Sequence, residues 1–474
     1  PIEWCQPDMS RLWNFNLHYF DWARKLVDQS ISNNFWSDEI TLLDKIIDDW
    51  IDQNKPGFGD GWHSYTLSLR IRNWIYLFRI FPELVSEKKL TSLWIQICWL
   101  NSHKEICYGG NHLLENLITL IIGSLQFEGK EAPKIYLKII TKLKNELSSQ
   151  ILTDGGHFER SASYHFLILD RLTELAFVIE ATLNERPEWL LSKIKYMNNW
   201  AKLVILKSDN LPQFNDSPKF LAGSPSKIIS FSSSLLNNTK YDHKDFRSKI
   251  ISLVPILNNK KINKIEISSI TNLNNTGWTL FRPNNNLEIV FKFGKPCPKE
   301  LPAHVHSDLL SFDIFRNGRP FLVSCGTSIY ENSKERIFER SSPSHNIFQL
   351  GVFKTKNLRT IDWIEPIETW NSFRAARKAN PVYKFSGKDD NGNLWIRASH
   401  DGFSRHGAQY ERMIILEKNK KNNMNFILID NVQSKRKLAW RQFWHLAPEE
   451  SQSELNPVIS QMKQYNNISI KWID

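Results

Sequence analysis

Hydrophobic positions in the first half of the chain recur with the period of an α-helix. Apolar residues at i, i+3, i+4 and i+7 predict amphipathic helices, and the turns between them are rich in Gly, Pro, Asn and Asp. No strand alternates with these segments, so we expect an all-helical domain of antiparallel helices over residues 1–257. The clearest helical segments are 42–51, 67–80, 113–125, 136–147, 163–179 and 189–205.

From about residue 277 the pattern changes to short β-rich runs separated by turns. Asn317-Gly318 and Asp390-Asn391-Gly392 are hairpin signals. Residues 258–275 are polar and rich in Asn, Lys and Ser, which predicts a linker. We therefore expect an α+β multidomain protein with an antiparallel β domain over residues 276–474. The predicted strands are 278–282, 287–293, 309–316, 320–323, 347–352, 394–399, 410–416, 425–430 and 440–446.

Charge and aromatic content narrow the class of partner. The chain has 61 Lys and Arg against 50 Asp and Glu, a net charge of +11, and it contains 18 Trp. An excess of positive charge favours a polyanionic partner. The densest basic runs, 418–421 and 435–437, are short, which argues against nucleic acid. Because flat aromatic faces pack against pyranose rings, an acidic polysaccharide fits better.

Several common chemistries are missing from the sequence. The five cysteines are scattered and form no CxxC pair, so they predict neither a disulfide framework nor a zinc ribbon. There is no P-loop, HExxH, EF-hand loop or GxSxG motif. The sequence contains no stretch of 18 or more uncharged apolar residues, so it predicts no membrane span. No signal peptide is visible before the first helix.

Two polar clusters interrupt the helical half. In residues 109–116, Asn111 and Glu115 lie one helical turn apart beside His112; the simpler interpretation is that Asn111 only caps a helix. In residues 154–165, a helix would place Arg160 beside Tyr164 at i, i+4 and lower the pKa of the phenol. The alternative is a surface Arg stacked on an ordinary Tyr.

Two further clusters lie in the β half. On a strand, the period of two places His304, His306 and Asp308 on one face. Such a group suggests a metal site, or a base with an orienting partner, although a hydrogen-bonded structural pair is also possible. Ser344-His345-Asn346 adds one more imidazole, or is a plain turn at a strand entry.

Taken in order, these motifs resemble those of the heparinase II/III-like polysaccharide lyases. The resemblance covers nearly the whole chain and is carried by residues 12–20, 62–65, 70–74, the Asn-His and Ser-Tyr-His segments, 304–312 and 344–346. It implies an N-terminal (α/α) toroid, a C-terminal antiparallel β-sandwich, and cleavage of a uronic-acid polysaccharide by β-elimination. The opening segment most resembles members associated with bacterial surface-polysaccharide genes, which implies a periplasmic or secreted bacterial protein.

The resemblance also implies residue roles. Asn111 matches the position that neutralises the uronate carboxylate, with His112 and Glu115 beside it. Tyr164 matches the catalytic tyrosine, which acts as acid and, for one stereochemistry, also as base, and His304 matches the base for the other face. The expected substrate contacts are Arg160, Arg70 and Arg72 to carboxylates, and Trp13, Trp62 and Trp74 as platforms for sugar rings.

No cofactor is required for this chemistry, but some relatives hold a structural zinc through two His and one Asp. His306 and His345 match the two histidines. Ser324 stands where the Asp is expected, and Cys325 points to the opposite face of a strand. Because Ser is a poor zinc ligand, we expect no bound zinc.

Two other functions remain open from the sequence. A glycoside hydrolase on a helical toroid would use two carboxylates, which Asp154, Glu159 and Asp216 could supply, but it leaves the β-domain histidines unexplained. A non-catalytic glycan-binding protein of polysaccharide assembly would keep the cleft without turnover. The double bond that elimination creates, detected by ultraviolet absorbance, separates these functions.

Overall fold

A computed structural model describes residues 2–33, 37–218, 221, 223–252, 267–354, 360–418, 424–447 and 470–471. The first half is helical and the second half is built from antiparallel strands, which confirms the predicted α+β class. The α-helices in the described residues are α1 Arg11–Tyr19, α2 Asp21–Asn33, α3 Ser37–Gln53, α4 Ser64–Ile80, α5 Glu87–Ser102, α6 Gly110–Ser124, α7 Glu131–Gln150, α8 Ala162–Leu183, α9 Glu188–Val204, α10 Pro225–Asn237, α11 Phe246–Ile251 and α12 Lys334–Arg340.

The strands follow mainly in the second half. They are β1 Ile270–Leu273, β2 Trp278–Asn284, β3 Leu287–Lys292, β4 Phe312–Arg316, β5 Arg319–Leu322, β6 Phe348–Phe353, β7 Ile361–Trp363, β8 Ile367–Trp370, β9 Arg374–Lys378, β10 Pro381–Lys388, β11 Leu394–His400, β12 Ala408–Lys418, β13 Met424–Ser434, β14 Ala439–Gln442 and β15 Ile470–Lys471.

The helices differ in how much of their surface is buried. Helix α7 buries a single stripe, including Ile135, Ile139, Leu143 and Leu147, so it follows the amphipathic pattern that predicts an outer helix. By contrast, α4 and α6 are buried on nearly all sides and pack against each other and against their neighbours. Their polar side chains must therefore bond to other groups inside the protein. This applies to several of the predicted site residues.

The strands form antiparallel sheets that share one hydrophobic core. Strands β1 to β5 form a sheet in sequence order, and a second sheet has the order β10-β11-β12-β13-β15. Side chains of both sheets and of β6 meet in one buried cluster. Asn317 and Gly318 join β4 to β5, with Arg316 paired to Arg319 and φ positive at both turn residues. This is the geometry that a two-residue Asn-Gly hairpin requires.

The chain divides into two compact units that do not follow one boundary in sequence. The first unit contains 1–151, 166–198 and 226–263, and the second contains 152–165, 199–225 and 264–474. Two segments predicted as part of the helical domain thus group with the strands. The predicted linker at 258–275 needs a correction at its end, because Ile270–Leu273 pairs with β2 as an edge strand; residues 258–266 lie outside the described residues.

Each of the five cysteines is a free thiol, and Cys297 is the buried one. Within the described ranges, no helix has both the length and the apolar character needed to cross a membrane.

Candidate functional site

Tyr164 and His304 lie in contact in the second unit. Tyr164 is in the first turn of α8 and His304 in the loop before β4, and their ring centroids are 4.6 Å apart. The hydroxyl of Tyr164 shares a 3.0 Å hydrogen bond with the hydroxyl of Tyr330. The Tyr330 ring stacks on Phe373, and the Arg336 guanidinium lies 5.1 Å from its centroid. We call Tyr164, His304, Asp216, Tyr330 and Arg336 the tyrosine–histidine cluster.

Asp216 fixes the orientation of His304. Its backbone N–H donates to the His304 carbonyl at 3.0 Å, and its Oδ2 lies 2.9 Å from His304 Nδ1. His304 has a φ of +60°, so this double contact holds it in a backbone conformation that non-glycine residues seldom adopt. Because a carboxylate accepts, Nδ1 carries the proton, and Nε2 is the nitrogen left for proton exchange.

Arg336 keeps Asp216 charged. Its two terminal nitrogens donate to the two Asp216 oxygens at 2.5 and 2.7 Å, in a buried bidentate pair. Burial raises the pKa of Asp216, but the hydrogen bonds from His304, His306 and Arg336 outweigh it and hold that pKa well below its ordinary value. For His304, burial lowers the pKa, and the Asp216 hydrogen bond with the charges of Glu159 and Asp216 raises it above the ordinary value.

The environment of Tyr164 corrects the expectation of a lowered phenol pKa. Burial, followed by Tyr330 and Asp216, raises the pKa of Tyr164 well above its ordinary value. No helix places Arg160 beside Tyr164 as predicted, because Arg160 precedes the first residue of α8 and has a φ of +53°. The i, i+4 spacing places two side chains together only when both residues are in the helix. The guanidinium of Arg160 donates instead to the carbonyls of Phe158 and Asn275. Tyr164 is therefore a protonated phenol at neutral pH.

The expected grouping of His304, His306 and Asp308 on a strand is also wrong. These residues precede β4, which begins at Phe312. Asp308 forms a buried ion pair with Lys292, whereas His306 Nε2 lies 2.9 Å from Asp216 Oδ1. The orienting partner of His304 is thus Asp216, which lies 88 positions away in the sequence.

The donor set around His306 and His345 does not fit a zinc ion. Both imidazoles are buried with ring centroids 5.3 Å apart, and no hydrogen-bond partner is found in the described residues for His306 Nδ1 or for either ring nitrogen of His345. Ser324 does not complete a set of three ligands, since its hydroxyl donates to Asp313 Oδ1 at 3.2 Å. Across the described ranges, no three His, Cys, Asp or Glu side chains are arranged to hold a metal.

In the first unit, the predicted residues of α6 separate into an exposed one and two buried ones. Helix α6 is capped by Gly109, so Asn111 is not its N-cap residue and lies buried in the first turn. The His112 side chain is 39% exposed. Glu115 is fully buried and accepts from Arg72 at 2.5 Å and from Arg171 at 3.0 Å. Of these three residues, only His112 has a side chain that is exposed to solvent.

The structure does not bring the other predicted contacts of α4 to a surface. Arg70 and Arg72 are fully buried: Arg70 donates to Gln96 and stacks on Trp50, and Arg72 pairs with Glu115 and Glu174. These guanidinium groups therefore contact other buried side chains, and the prediction that they bind substrate carboxylates does not fit their burial.

Two of the three tryptophans predicted as platforms for sugar rings are also buried. Trp74 is fully buried against Phe20 and Trp50, and Trp62 is 5% exposed with its indole N–H donating to the Asn54 carbonyl. Only Trp13, at 41% exposed, keeps an accessible face. Trp62 and Trp74 thus belong to the packing of the first unit.

Two of the three carboxylates of the hydrolase alternative, Asp154 and Asp216, have partners inside the protein, and the third, Glu159, is buried. Asp154 accepts from the backbone N–H groups of Asn275 and Thr276 and from the Thr276 hydroxyl, so it holds a turn. Asp216 is neutralised by Arg336 and its pKa is low, whereas a general acid must be protonated. Neither residue is placed to serve as the acid of a glycoside hydrolase.

Sequence reasoning missed Tyr330 and Arg336, and it considered Asp216 only for hydrolysis. The signal available was weak: Asp216 sits in a polar run, Asn215-Asp216-Ser217-Pro218, that follows a helix without an obvious structural role. Tyr330 and Arg336 stand in a polar stretch with no periodicity. Their contacts with Tyr164 and Asp216 join segments that only the tertiary fold brings together.

Both halves of the chain match models of known protein families. The heparinase II/III N-terminus family model matches residues 11–230, and the heparinase II/III-like C-terminal model matches residues 268–469. A heparin-sulfate lyase of Bacteroides thetaiotaomicron is 23% identical over 402 residues, covering 74% of this chain and 53% of that protein. The chain therefore spans about half the length of this relative.

Solved structures give the same fold. A heparinase III structure aligns with a TM-score of 0.64 at 17% identity, over 92% of this chain and 66% of that one. A heparan sulfate lyase from Pedobacter heparinus aligns with a TM-score of 0.56 at 19% identity, over 94% and 66%. At such identities the likeness establishes the fold and leaves the chemistry to be argued from the residues.

Proposed function

We propose, because this chain belongs to the heparinase II/III-like family, that it is a polysaccharide lyase that cleaves a uronic-acid-containing polysaccharide by β-elimination. The observation that carries the proposal is the contact between Tyr164 and His304, in which Asp216 orients the imidazole and burial keeps the phenol protonated. A protonated acid beside an oriented base is what an elimination needs.

The chemistry assigns one role to each group. Elimination removes the C5 proton of the uronate, forms the C4–C5 double bond and breaks the bond between C4 and the leaving oxygen. In this proposal His304 Nε2 accepts the C5 proton, and Tyr164 donates its phenol proton to the leaving oxygen. The raised pKa of Tyr164 suits the acid, and it argues against the second role as base that the family resemblance implies, since a phenolate is disfavoured there.

The C5 proton is weakly acidic because the neighbouring carboxylate is already negative. Donors that neutralise that carboxylate lower the barrier by stabilising charge in the transition state. Of the two residues of the first unit that match this family motif, His112 has a side chain that is 39% exposed, whereas Asn111 is buried. We therefore propose His112 as a donor to a carboxylate of the substrate.

The direct experiment is an absorbance assay with a panel of uronate polymers, including heparan sulfate. We expect ultraviolet absorbance from the new double bond to rise together with new reducing ends. Reducing ends without that absorbance would establish hydrolysis instead, and glycan binding without either signal would establish a binding protein.

The pH dependence of the reaction tests the role of His304. His304 must be neutral to act as the base, so kcat/KM should rise as the pH increases through the raised pKa of His304. In Asp216→Asn the orienting carboxylate loses its charge, and we expect the acid limb of the pH profile to move to lower pH with a reduced plateau. Glu159→Gln, which removes a charge without removing the hydrogen bond, should shift the limb in the same direction. An unchanged limb in both variants would remove His304 from the base role.

We also propose that the chain acts without a bound metal at His306 and His345. The support is that no third ligand stands beside the two histidines within the described residues. Treatment with a chelator should leave both kcat and the melting temperature unchanged. Stoichiometric zinc in the purified protein, with loss of stability on chelation, would contradict this.

A periplasmic or secreted location follows as part of the same proposal. A large anionic polymer does not cross a bilayer unaided, so an enzyme that degrades it has to meet it outside the cytoplasmic membrane. Fractionation of the producing bacterium, with the protein in the periplasm or medium as the expected result, tests this.

A further inference from the structure

The loop that precedes α6 contains a buried carboxylate. Glu105 is 7% exposed although its neighbours Ile106 and Tyr108 are 58% and 63% exposed. Asn116 of α6 holds Glu105 at two points: its Oδ1 accepts from the Glu105 backbone N–H at 2.8 Å, and its Nδ2 donates to Glu105 Oε2 at 3.2 Å. Asn116 Nδ2 also donates to Ser68 of α4 at 3.0 Å. Glu105 is therefore held by Asn116 of α6, and Asn116 is held in turn by α4.

The other carboxylate oxygen faces two imidazoles. Glu105 Oε1 lies 3.0 Å from His112 Nδ1 and 4.0 Å from His63 Nε2. Burial raises the pKa of Glu105, but the hydrogen bonds from His112 and Asn116 and the charge of His63 lower it below the ordinary value. Glu105 is thus a carboxylate at neutral pH and can only accept.

This contact decides which nitrogen of His112 faces a ligand. Because Oε1 accepts, the proton of the His112 ring stays on Nδ1, and Nε2 is the nitrogen that remains for an external partner. The Tyr65 ring packs on the imidazole with centroids 4.3 Å apart, which restricts rotation of the ring. His112 therefore has one fixed nitrogen and one presented nitrogen, on a side chain that is 39% exposed.

We propose that Glu105 is a positioning residue that holds His112 with Nε2 presented to a carboxylate of an acidic sugar, an inference that rests on the proposed lyase function. A sugar carboxylate requires a donor, so it is bound by the Nε2–H of the charged ring, and Glu105 balances that charge from the opposite side. Neither the family motif around Asn111 nor the sequence spacing assigns this role to Glu105.

A purely structural role for Glu105 is the competing explanation. In that case the carboxylate only ties the loop to α6 through Asn116, and its loss would lower stability and affect all steps alike. A role through His112 predicts a different result, because the loss of Glu105 should matter only while His112 is present.

The test is a double-mutant cycle with a spectroscopic readout. Glu105→Gln, His112→Gln and the double variant are compared with the parent for KM and kcat on heparan sulfate. We expect Glu105→Gln to raise KM on the order of tenfold, the value of a charge-assisted hydrogen bond, with a smaller change in kcat. In the His112→Gln background the same change should have little further effect. Equal costs in the two backgrounds would overturn the proposal.

The second readout does not need turnover. In protein labelled with ¹⁵N-histidine, the His112 ring nitrogens, assigned by loss in His112→Gln, should show the proton of the neutral ring on Nδ1. In Glu105→Gln this preference should weaken, because the side chain loses its charge and its amide can donate as well as accept. In Glu105→Asp, which keeps the charge, the preference should be better retained. Glu131→Gln, a change at an exposed carboxylate, is the control. A parent tautomer that Glu105→Gln leaves unchanged overturns the proposal even if the enzyme is active.

These readouts keep the two hypotheses apart. If Nδ1 is protonated in a Glu105-dependent manner but no polymer is cleaved, the lyase function fails, and with it the ligand assigned to Nε2, while the positioning of the ring stands. Melting temperatures of each variant are measured alongside, and Glu105→Asp serves for the kinetics if Glu105→Gln does not fold.

Discussion

Replacing Tyr164 with Phe is expected to reduce kcat by about 10²–10⁴-fold, the contribution typical of a general acid. The phenol is the proton donor that the leaving oxygen needs, and its raised pKa keeps that proton available over the whole neutral range. The variant removes one oxygen and leaves the ring in place against His304. Initial rates of double-bond formation, measured with saturating heparan sulfate, give the effect on kcat directly.

The Tyr164 variant can be separated from a folding defect. Its cost in stability should be about 1 kcal/mol, since only the hydrogen bond to Tyr330 is lost. Tyr196→Phe in α9, at a side chain that is 55% exposed, is the matched control and should keep the full rate. A Tyr164→Phe rate close to that of this control, with an intact fold, would show that another group protonates the leaving oxygen.

The elements that could be predicted from the sequence are those whose pattern records a single buried face. Helix α7 and the central strands β11 and β12 have that pattern, and the Asn317-Gly318 turn requires residues that tolerate positive φ. The edge strand β1 and the strand β10 have mixed burial, so neither alternation nor a continuous apolar run marks them.

The site could be predicted only in part, for a related reason. Motif spacing pointed to His304 and Tyr164, but the partner of His304 lies 88 positions away, and no local period connects them. The family resemblance implies Arg70 and Arg72 as contacts to substrate carboxylates, a role that requires exposed guanidinium groups. In α4 they are buried, and Glu115 and Glu174 supply the opposite charges that make burial of Arg72 possible. Residue type alone does not separate such an internal ion pair from a ligand contact.

Lys292 should be one of the most stability-sensitive charged residues of the second unit. Its ammonium is 1% exposed and donates to Asp308 Oδ1 and, at 2.6 Å, to Asn215 Oδ1. Asp308 Oδ2 in turn accepts from the Asn215 backbone N–H at 3.0 Å. Lys292→Met keeps most of the volume of the side chain but leaves the Asp308 carboxylate without its cation, so the expected loss is about 3–5 kcal/mol in the free energy of unfolding.

The loss comes from the carboxylate that is left behind, and a second variant isolates it. In Lys292→Met/Asp308→Asn both charges are gone, while the amide oxygen can still accept from Asn215, so we expect most of the lost stability to return. Lys354→Met, in an exposed pair with Asp362 at 3.2 Å, should cost about 0–1 kcal/mol. Urea unfolding of the three variants and the parent measures these differences.

The same variants also test the proposal that no metal ion is bound at His306 and His345. If Lys292 supplies the positive charge that its buried carboxylate needs, added zinc should not restore the stability of Lys292→Met, because the three side chains that a zinc site requires are not assembled in the described residues. Rescue by zinc would instead mean that His306 and His345 can recruit a third ligand once the ammonium is gone. A single-variant loss no larger than that of Lys354→Met would mean that Asp308 is protonated or hydrated and that the pair contributes little.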